Sequence, residues 1–366
     1  MAETAVSAPE LVTSVDGRVG RIVLNRPRVI NALNHPMVTQ MAAVLDEWKR
    51  DPEVSAVVIT GAGERGLCAG GDIAAIHRDA AAMAGSTDDV AAANTPSAAF
   101  WRDEYHLNAA IGDYPKPVVA VMDGIVMGGG VGVSGHASIR VATDRTRLAM
   151  PEVGIGLVPD VGGTWLLSHL SDELGTYAAL TTTSLDGADA VAVGLATHYV
   201  PADALEPFLL ALADQTPEEA LAAHAVTAPE SALAAQREWI AEAFAGDSVS
   251  QILARCAAGA QSAVKAGAKI AAMSPMALTV TLGALRAAAS DATLRDTLKR
   301  EYRTSLRCLQ YPDLAEGIHA KVIEKGRDPV WAIAELDDID PSRAAGFTAP
   351  LPDGCELTFD ETGTHR

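Results

Sequence analysis

Short apolar runs at 11–15 and 21–25 flank Asp16-Gly17, a dipeptide suited to a tight turn, and predict a β-hairpin. Met37, Met41, Val44, Leu45 and Trp48 then recur at helical spacing, with Asn34 or His35 as cap and Pro36 in the first turn. The unbroken apolar runs at 54–60 and 117–122 read as buried strands. Asp72 is placed to cap a helix through Ile73 and Ile76, and 100–111 reads as another helix. The small, polar stretch 80–97 predicts a loop. After the glycines near 130 the pattern predicts a helix over 131–137, then short strands at 139–143 and 147–150.

Strand and helix alternate through about the first 200 residues, which predicts an α/β core. Beyond Pro201 the chain turns Ala-rich with leucines at helical intervals, and Leu294, Leu298, Tyr302 and Leu306 mark one face of a long helix. The expected organisation is a core over 1–204 and a helical region over 205–366, with the residues from Asp353 loosely held.

Composition narrows the function classes. Apolar residues make up 49% of the 366, so general disorder is excluded, and aromatics at 4% imply a core of Ala, Val, Leu and Ile. A formal charge of −19 argues against nucleic acid or an anionic membrane as partner. It leaves room for a phosphorylated small ligand held by a few local cations. Cys68, Cys256, Cys308 and Cys355 are far apart with no CxxC pair, which fits a reducing compartment without disulfides or a zinc knuckle. The opening residues show neither a secretory nor an Arg-rich organelle pattern, and no apolar run reaches the ~18 residues of a membrane span. A cytoplasmic protein is the expectation.

Two familiar motifs are absent on inspection. Gly61, Gly63 and Gly66 match GxGxxG after a strand, yet another glycine-rich piece follows where a dinucleotide site needs a helix. Ser134 lies in Gly132-Val-Ser134-Gly135-His136, one residue short of a serine-hydrolase elbow. The histidines lack metal-ligand spacing, so neither a metal nor a bound cofactor is expected.

More telling are two glycine turns, Cys68-Ala69-Gly70-Gly71-Asp72 and Met127-Gly128-Gly129-Gly130, each leaving a strand for a helix. Glycines at such turns usually serve backbone geometry alone. Together, the N–H groups of Gly71 and Gly129 can form a two-donor oxyanion hole. Downstream, Glu152 and Asp160 sit among Gly, Pro and apolar residues that tend to shield a carboxyl and raise its pKa towards the range useful in acid–base work. The short connection can bring both to one pocket, and polarised carbonyl chemistry is the class these features suggest.

In order along the chain, LNRPRVINALN, GLCAGGDI, YPKPVVAVMDGIVMGGGVG and AMPEVGIGLVPDVGGTWLL resemble the enoyl-CoA hydratase/isomerase (crotonase) superfamily. The likeness runs from about Ser14 to Ile339 and includes SPMALTVTLGAL and LKREYRTSLRCL. The resemblance implies a spiral of ββα units with C-terminal helices, assembled as a homo-oligomer, commonly a trimer or a multiple of it, and an acyl-CoA substrate. It implies that Gly71 and Gly129 hold the thioester carbonyl. Within the superfamily the chain is most similar to the thioester hydrolases that cleave a short branched 3-hydroxyacyl-CoA in valine breakdown. That branch implies Glu152 and Asp160 as catalytic carboxylates, Glu104 and Gly129 as substrate contacts, and Arg28 beside the CoA moiety.

One departure narrows the activity further. The hydratases that this chain resembles carry a second Glu three residues after the middle glycine of GGG, where this chain has Gly132. Hydration is disfavoured accordingly. The dienoyl-CoA isomerases are closer rivals in their use of a Glu and an Asp, and a non-catalytic family member is the alternative of a different kind.

Overall fold

The computed structural model describes residues 8–359. Strands β1 (Leu11–Asp16) and β2 (Val19–Leu24) form the predicted hairpin, closing at Gly17, whose φ of +58° favours a residue without a Cβ. Beside β2 run β3 (Ala56–Gly61), β4 (Val118–Met122), β6 (Ile139–Ala142) and β8 (His198–Tyr199), all parallel, giving the order β1-β2-β3-β4-β6-β8. Every side chain of β4 is buried, as expected of a strand covered on both faces.

A second layer of pairing runs alongside this sheet. Strand β5 (Ile125–Met127) pairs in parallel with β7 (Arg147–Ala149), while Cys68 bridges Val126 and Leu33 bridges Gly71. Each short segment follows a main strand and precedes a helix: α1 (His35–Arg50), α2 (Ile73–Met83), α5 (Gly129–Gly135) and α6 (Gly163–Ser168). Successive ββα turns therefore stack into a spiral, in agreement with the expected α/β class. The register that sets Cys68 beside Val126 also carries the two glycine turns to neighbouring positions.

Helix α1 starts as its sequence dictates, with the Asn34 side chain accepting from Met37 N–H at 3.0 Å and Pro36 in the first turn. The stretch 80–97 corrects the expectation of a loop. Helix α2 continues to Met83, α3 spans Asp89–Ala93 behind an Asp88 cap, and α4 (Pro96–Gly112) begins behind Thr95. Alanine gives little polar contrast for a pattern to detect, yet Ala80, Ala92 and Ala93 are buried because their small side chains permit close helix packing. Asp72 does occupy the position before α2, but its carboxylate pairs with Arg26 at 3.1 Å and leaves the helix N–H groups alone.

Beyond residue 205 the regular elements among the described residues are helices, and the long helix Leu294–Gln310 buries Leu298, Tyr302 and Leu306 completely. One hydrophobic cluster takes side chains from α1, α4 and this helix alike. The loosely held terminus expected from Asp353 is corrected over its described part: Cys355 and Leu357 are buried and Arg303 holds Glu356 at 2.9 Å. The remainder, 360–366, lies outside the described residues.

Leu306→Ala removes packing shared between the core and the helical region. It is expected to cost about 3 kcal/mol in urea unfolding, a typical loss for a buried leucine.

Candidate active site

The two glycine turns converge on a cavity of about 750 Å³ whose wall includes Gly71, Gly129, Glu104, Glu152 and Asp160. Five of the six residues singled out in the sequence thus share one chamber. Arg28 does not line it. It sits on the exposed 3-10 turn Pro27–Val29, where its carbonyl accepts from Arg65.

The turns are built for glycine. Gly128 has φ +49° and ψ −119°, and Gly70 has φ +111°, conformations that side chains strain to adopt. A Cβ on Gly129 would stand 2.6 Å from Glu104 Oε1 and 3.4 Å from Gly71 N, and one on Gly128 would stand 3.1 Å from Glu152 Oε1. The two peptide units therefore lie against each other, with one carboxyl at the side of each. Gly129 opens α5, so its N–H has no partner within the helix. The Leu33 bridge uses the Gly70 carbonyl and the Asp72 N–H on either side of Gly71. Among the described residues neither the Gly71 nor the Gly129 N–H has an acceptor.

The carboxyls are deeply buried: Glu104 is 2% exposed, Glu152 and Asp160 5% each. Glu104 Oε1 and Glu152 Oε2 have no hydrogen-bond partner among the described residues. Burial raises both groups well above the ordinary carboxylate range, and the neighbouring Asp160 charge raises them further. Asp160 is pushed up by burial only to about 6, because Tyr105 and its own backbone N–H stabilise the charged form. Tyr105 donates to Asp160 Oδ2 at 2.8 Å. Of the three buried acids in the chamber, Asp160 is thus the most readily ionised, and Glu104 and Glu152 hold their protons more tightly. That pairing supplies a proton donor and a proton acceptor together.

Helix Leu294–Gln310 fixes the loop that bears Asp160. Glu301, 1% exposed, accepts from Gly162 N–H at 2.6 Å, Thr164 N–H at 2.9 Å and Thr164 Oγ1 at 2.5 Å, which caps α6 from another part of the chain. Burial pushes Glu301 up to about 8 against those three donors, and Asp160 adds to the rise. Val161, next to Asp160, has φ +55°, a strained choice for a β-branched residue. Its side chain lies where a Cβ on Gly132 would come within 2.7 Å of Val161 Cβ and 2.9 Å of Asn108 Nδ2. The place where related hydratases are expected to carry a second acid is filled here.

Sequence reasoning missed Tyr105, Ser305, Glu301 and Val161. Tyr105 adjoins Glu104, and Glu301 and Ser305 lie in the LKREYRTSLRCL stretch, but only the folded chain links these distant segments. It also missed the far wall of the cavity, where Met273, Lys321 and Trp331 from the helical region face the glycine turns.

A parallel-stranded spiral with two bare N–H groups facing buried acids defines a class, and residues 19–347 match the family described as enoyl-CoA hydratase/isomerase. The chain belongs to that family. Among curated relatives, "3-hydroxyisobutyryl-CoA hydrolase, mitochondrial" of Danio rerio is 38% identical over 357 residues, covering 94% of this chain and 88% of the relative. The Homo sapiens protein of the same name is 36% identical over 351 residues, covering 93% and 88%. Among solved structures, a carnitinyl-CoA dehydratase from Mycobacterium thermoresistibile has a TM-score of 0.90 at 48% identity, covering 97% of this chain and all of that one. An enoyl-CoA hydratase from Rhodobacter sphaeroides has a TM-score of 0.87 at 37% identity, covering 96% and 100%. The expected crotonase fold is thereby established.

The relatives also correct one expectation. They are mitochondrial by name, which conflicts with the cytoplasmic placement. That placement rested on the look of the first residues, and an organelle address is a removable segment about which the folded body says nothing.

Buried acids with raised pKa values bind protons more tightly when folded than when unfolded. Their contribution to stability is complete below about pH 4.5 and is lost as pH rises through the folded values, about 8 for Glu301. The unfolding free energy should therefore carry a component that falls between pH 4.5 and 8. Glu104→Gln should make that fall shallower in denaturant titrations, since the amide does not titrate. An unchanged slope would contradict the assigned burial.

Proposed function

We propose that this chain hydrolyses 3-hydroxyisobutyryl-CoA to 3-hydroxyisobutyrate and CoA, a step of valine breakdown. The observation that carries the reading is the meeting, in one cavity, of two unpaired N–H groups with Glu152 and Asp160. The names and coverage of the curated relatives support it.

The chemistry follows from the arrangement. The thioester oxygen enters between Gly71 and Gly129, whose N–H groups stabilise the negative charge that grows on it as the carbonyl becomes tetrahedral. One such donor is typically worth ~2.7–4 kcal/mol of barrier. Glu152 either gives its proton to Asp160 and attacks the carbonyl, forming an anhydride that water then opens, or relays the proton of an attacking water. The C–S bond breaks when the tetrahedral adduct collapses, and the sulfur leaves as thiolate to be protonated from the acid pair. Asp160, the group closest to ionisation, accepts the water proton. Glu104, whose burial favours its neutral form, takes the substrate 3-hydroxyl as hydrogen-bond partner, so that acyl groups without it leave a buried carboxyl unmatched.

Dehydration is the rival, since a solved neighbour bears that name. Against it stands Gly132. Val161 and Asn108 occupy the volume a second acid would need, so water cannot be held there between two carboxylates. The isomerase alternative meets the same obstacle.

Purified protein given 3-hydroxyisobutyryl-CoA should release free thiol without new absorbance from a conjugated enoyl thioester. Enoyl absorbance without thiol would replace the hydrolase with a dehydratase, and silence across a panel of acyl-CoAs would favour a non-catalytic family member. Glu152→Ala and Asp160→Ala should each lower turnover roughly 100-fold or more while the circular dichroism stays native. Near-normal turnover in Glu152→Ala would remove its assigned role. Glu104→Ala should lose the preference for hydroxylated over plain acyl groups, and a retained preference would place the hydroxyl elsewhere.

A further inference from the structure

Tyr105 is fully buried on α4, one residue past Glu104, and does not line the cavity. Its hydroxyl lies 2.8 Å from Asp160 Oδ2 and 2.9 Å from Ser305 Oγ, and Ser305 is itself fully buried on helix Leu294–Gln310. The donor order is set by chemistry. A carboxylate accepts only, so the phenol proton points to Asp160 and the serine hydroxyl donates to the phenol oxygen. The fully buried Tyr105 ring packs edge-on against Tyr302, with ring centroids 6.2 Å apart.

We propose that Tyr105, held from behind by Ser305, is a positioning residue that engages one oxygen of Asp160 and leaves the rest of that carboxylate to the reacting water. The inference rests on the hydrolase reading for the word "water" alone; the Ser305–Tyr105–Asp160 relay is a property of the fold.

Its consequence is a division of labour among the acids. The groups facing Asp160 are Glu104 and Tyr105 from α4, Glu152 from the 3-10 turn Glu152–Ile155, and Glu301, Ser305 and Cys308 from the long helix. The loop itself is tied to His136, whose Nε2 lies 2.8 Å from the Val161 carbonyl and whose burial lowers it to about 4, so it is neutral and donates. Among the described residues, Asp160 alone of the three buried cavity acids has a side-chain donor. A hydrogen bond to the charged form favours that form. Asp160 is thereby kept as the acceptor, while Glu104 and Glu152 hold their protons more tightly. Tyr105 never gives up its proton: it donates to Oδ2 before and after Asp160 takes one on the other oxygen, and no net charge moves through the relay.

Tyr105→Phe keeps the ring and removes the donor. In infrared difference spectra across pH 5 to 8, the Asp160 carboxyl band, assigned by its loss in Asp160→Asn, should titrate about one pH unit higher in Tyr105→Phe. Ser305→Ala should move it in the same direction by less. In turnover assays the acid limb of the pH–rate profile should move up with that band, so that kcat drops about tenfold near pH 5 with KM within about twofold. At higher pH, where Asp160 is again ionised, part of the loss should be recovered, which a merely misfolded variant would not show. An Asp160 titration and pH profile the same as wild type would overturn the inference. The spectroscopic arm needs no substrate, so it reads the relay even if the unaltered protein hydrolyses no thioester, an outcome that would sink the proposed function instead.

Discussion

The proposed chemistry depends on two peptide N–H groups left without acceptors on the wall of a cavity. Burying a polar group unpaired is costly, and folded proteins seldom tolerate it without a ligand or water to answer for it. Here two N–H groups, of half-buried Gly71 and buried Gly129, stand without protein acceptors within a few ångströms of each other. Stacked ββα turns bring the two bends together by parallel pairing, Cys68 beside Val126, and glycine keeps the space between them empty. A Cβ on Gly129 would take up the gap between the second amide and Glu104.

The acids answer to the same constraint from the other side. Burial raises all three buried carboxyls of the chamber, and the fold sorts them by the donors it provides. Glu104 and Glu152 present bare oxygens, while Asp160 receives Tyr105. The helical region is what makes this sorting possible. Its long helix reaches Asp160 by two routes, Glu301 gripping the backbone at Gly162 and Thr164, and Ser305 bracing Tyr105. A core of spiral turns alone would have left the loop from Glu152 to Thr164 without these anchors.

Much of this was legible in the sequence, and the reasons are specific. The hairpin at Gly17, helix α1 behind Asn34 and the long helix through Tyr302 follow from strong periodicity with clear caps. Five of the six candidate residues share one cavity, and the sequence pointed to them because glycine runs and acids among prolines are chemically unusual combinations. Helix α3 was not, because an Ala-rich helix carries almost no amphipathic contrast. Tyr105, Glu301 and Ser305 were not, because their meaning lies in contacts across roughly 55 to 200 positions of chain, which no local pattern encodes. The position of Val161, a β-branched residue with positive φ, runs against local preference, as expected where a site imposes its own geometry.

The most direct test is a crystal structure with a thioether or other uncleavable analogue of a short 3-hydroxyacyl-CoA. The account predicts the acyl oxygen about 3 Å from both the Gly71 and Gly129 nitrogens, with the acyl chain running towards Glu104. An acyl oxygen bound away from either nitrogen, or an analogue seated outside the chamber, would contradict it.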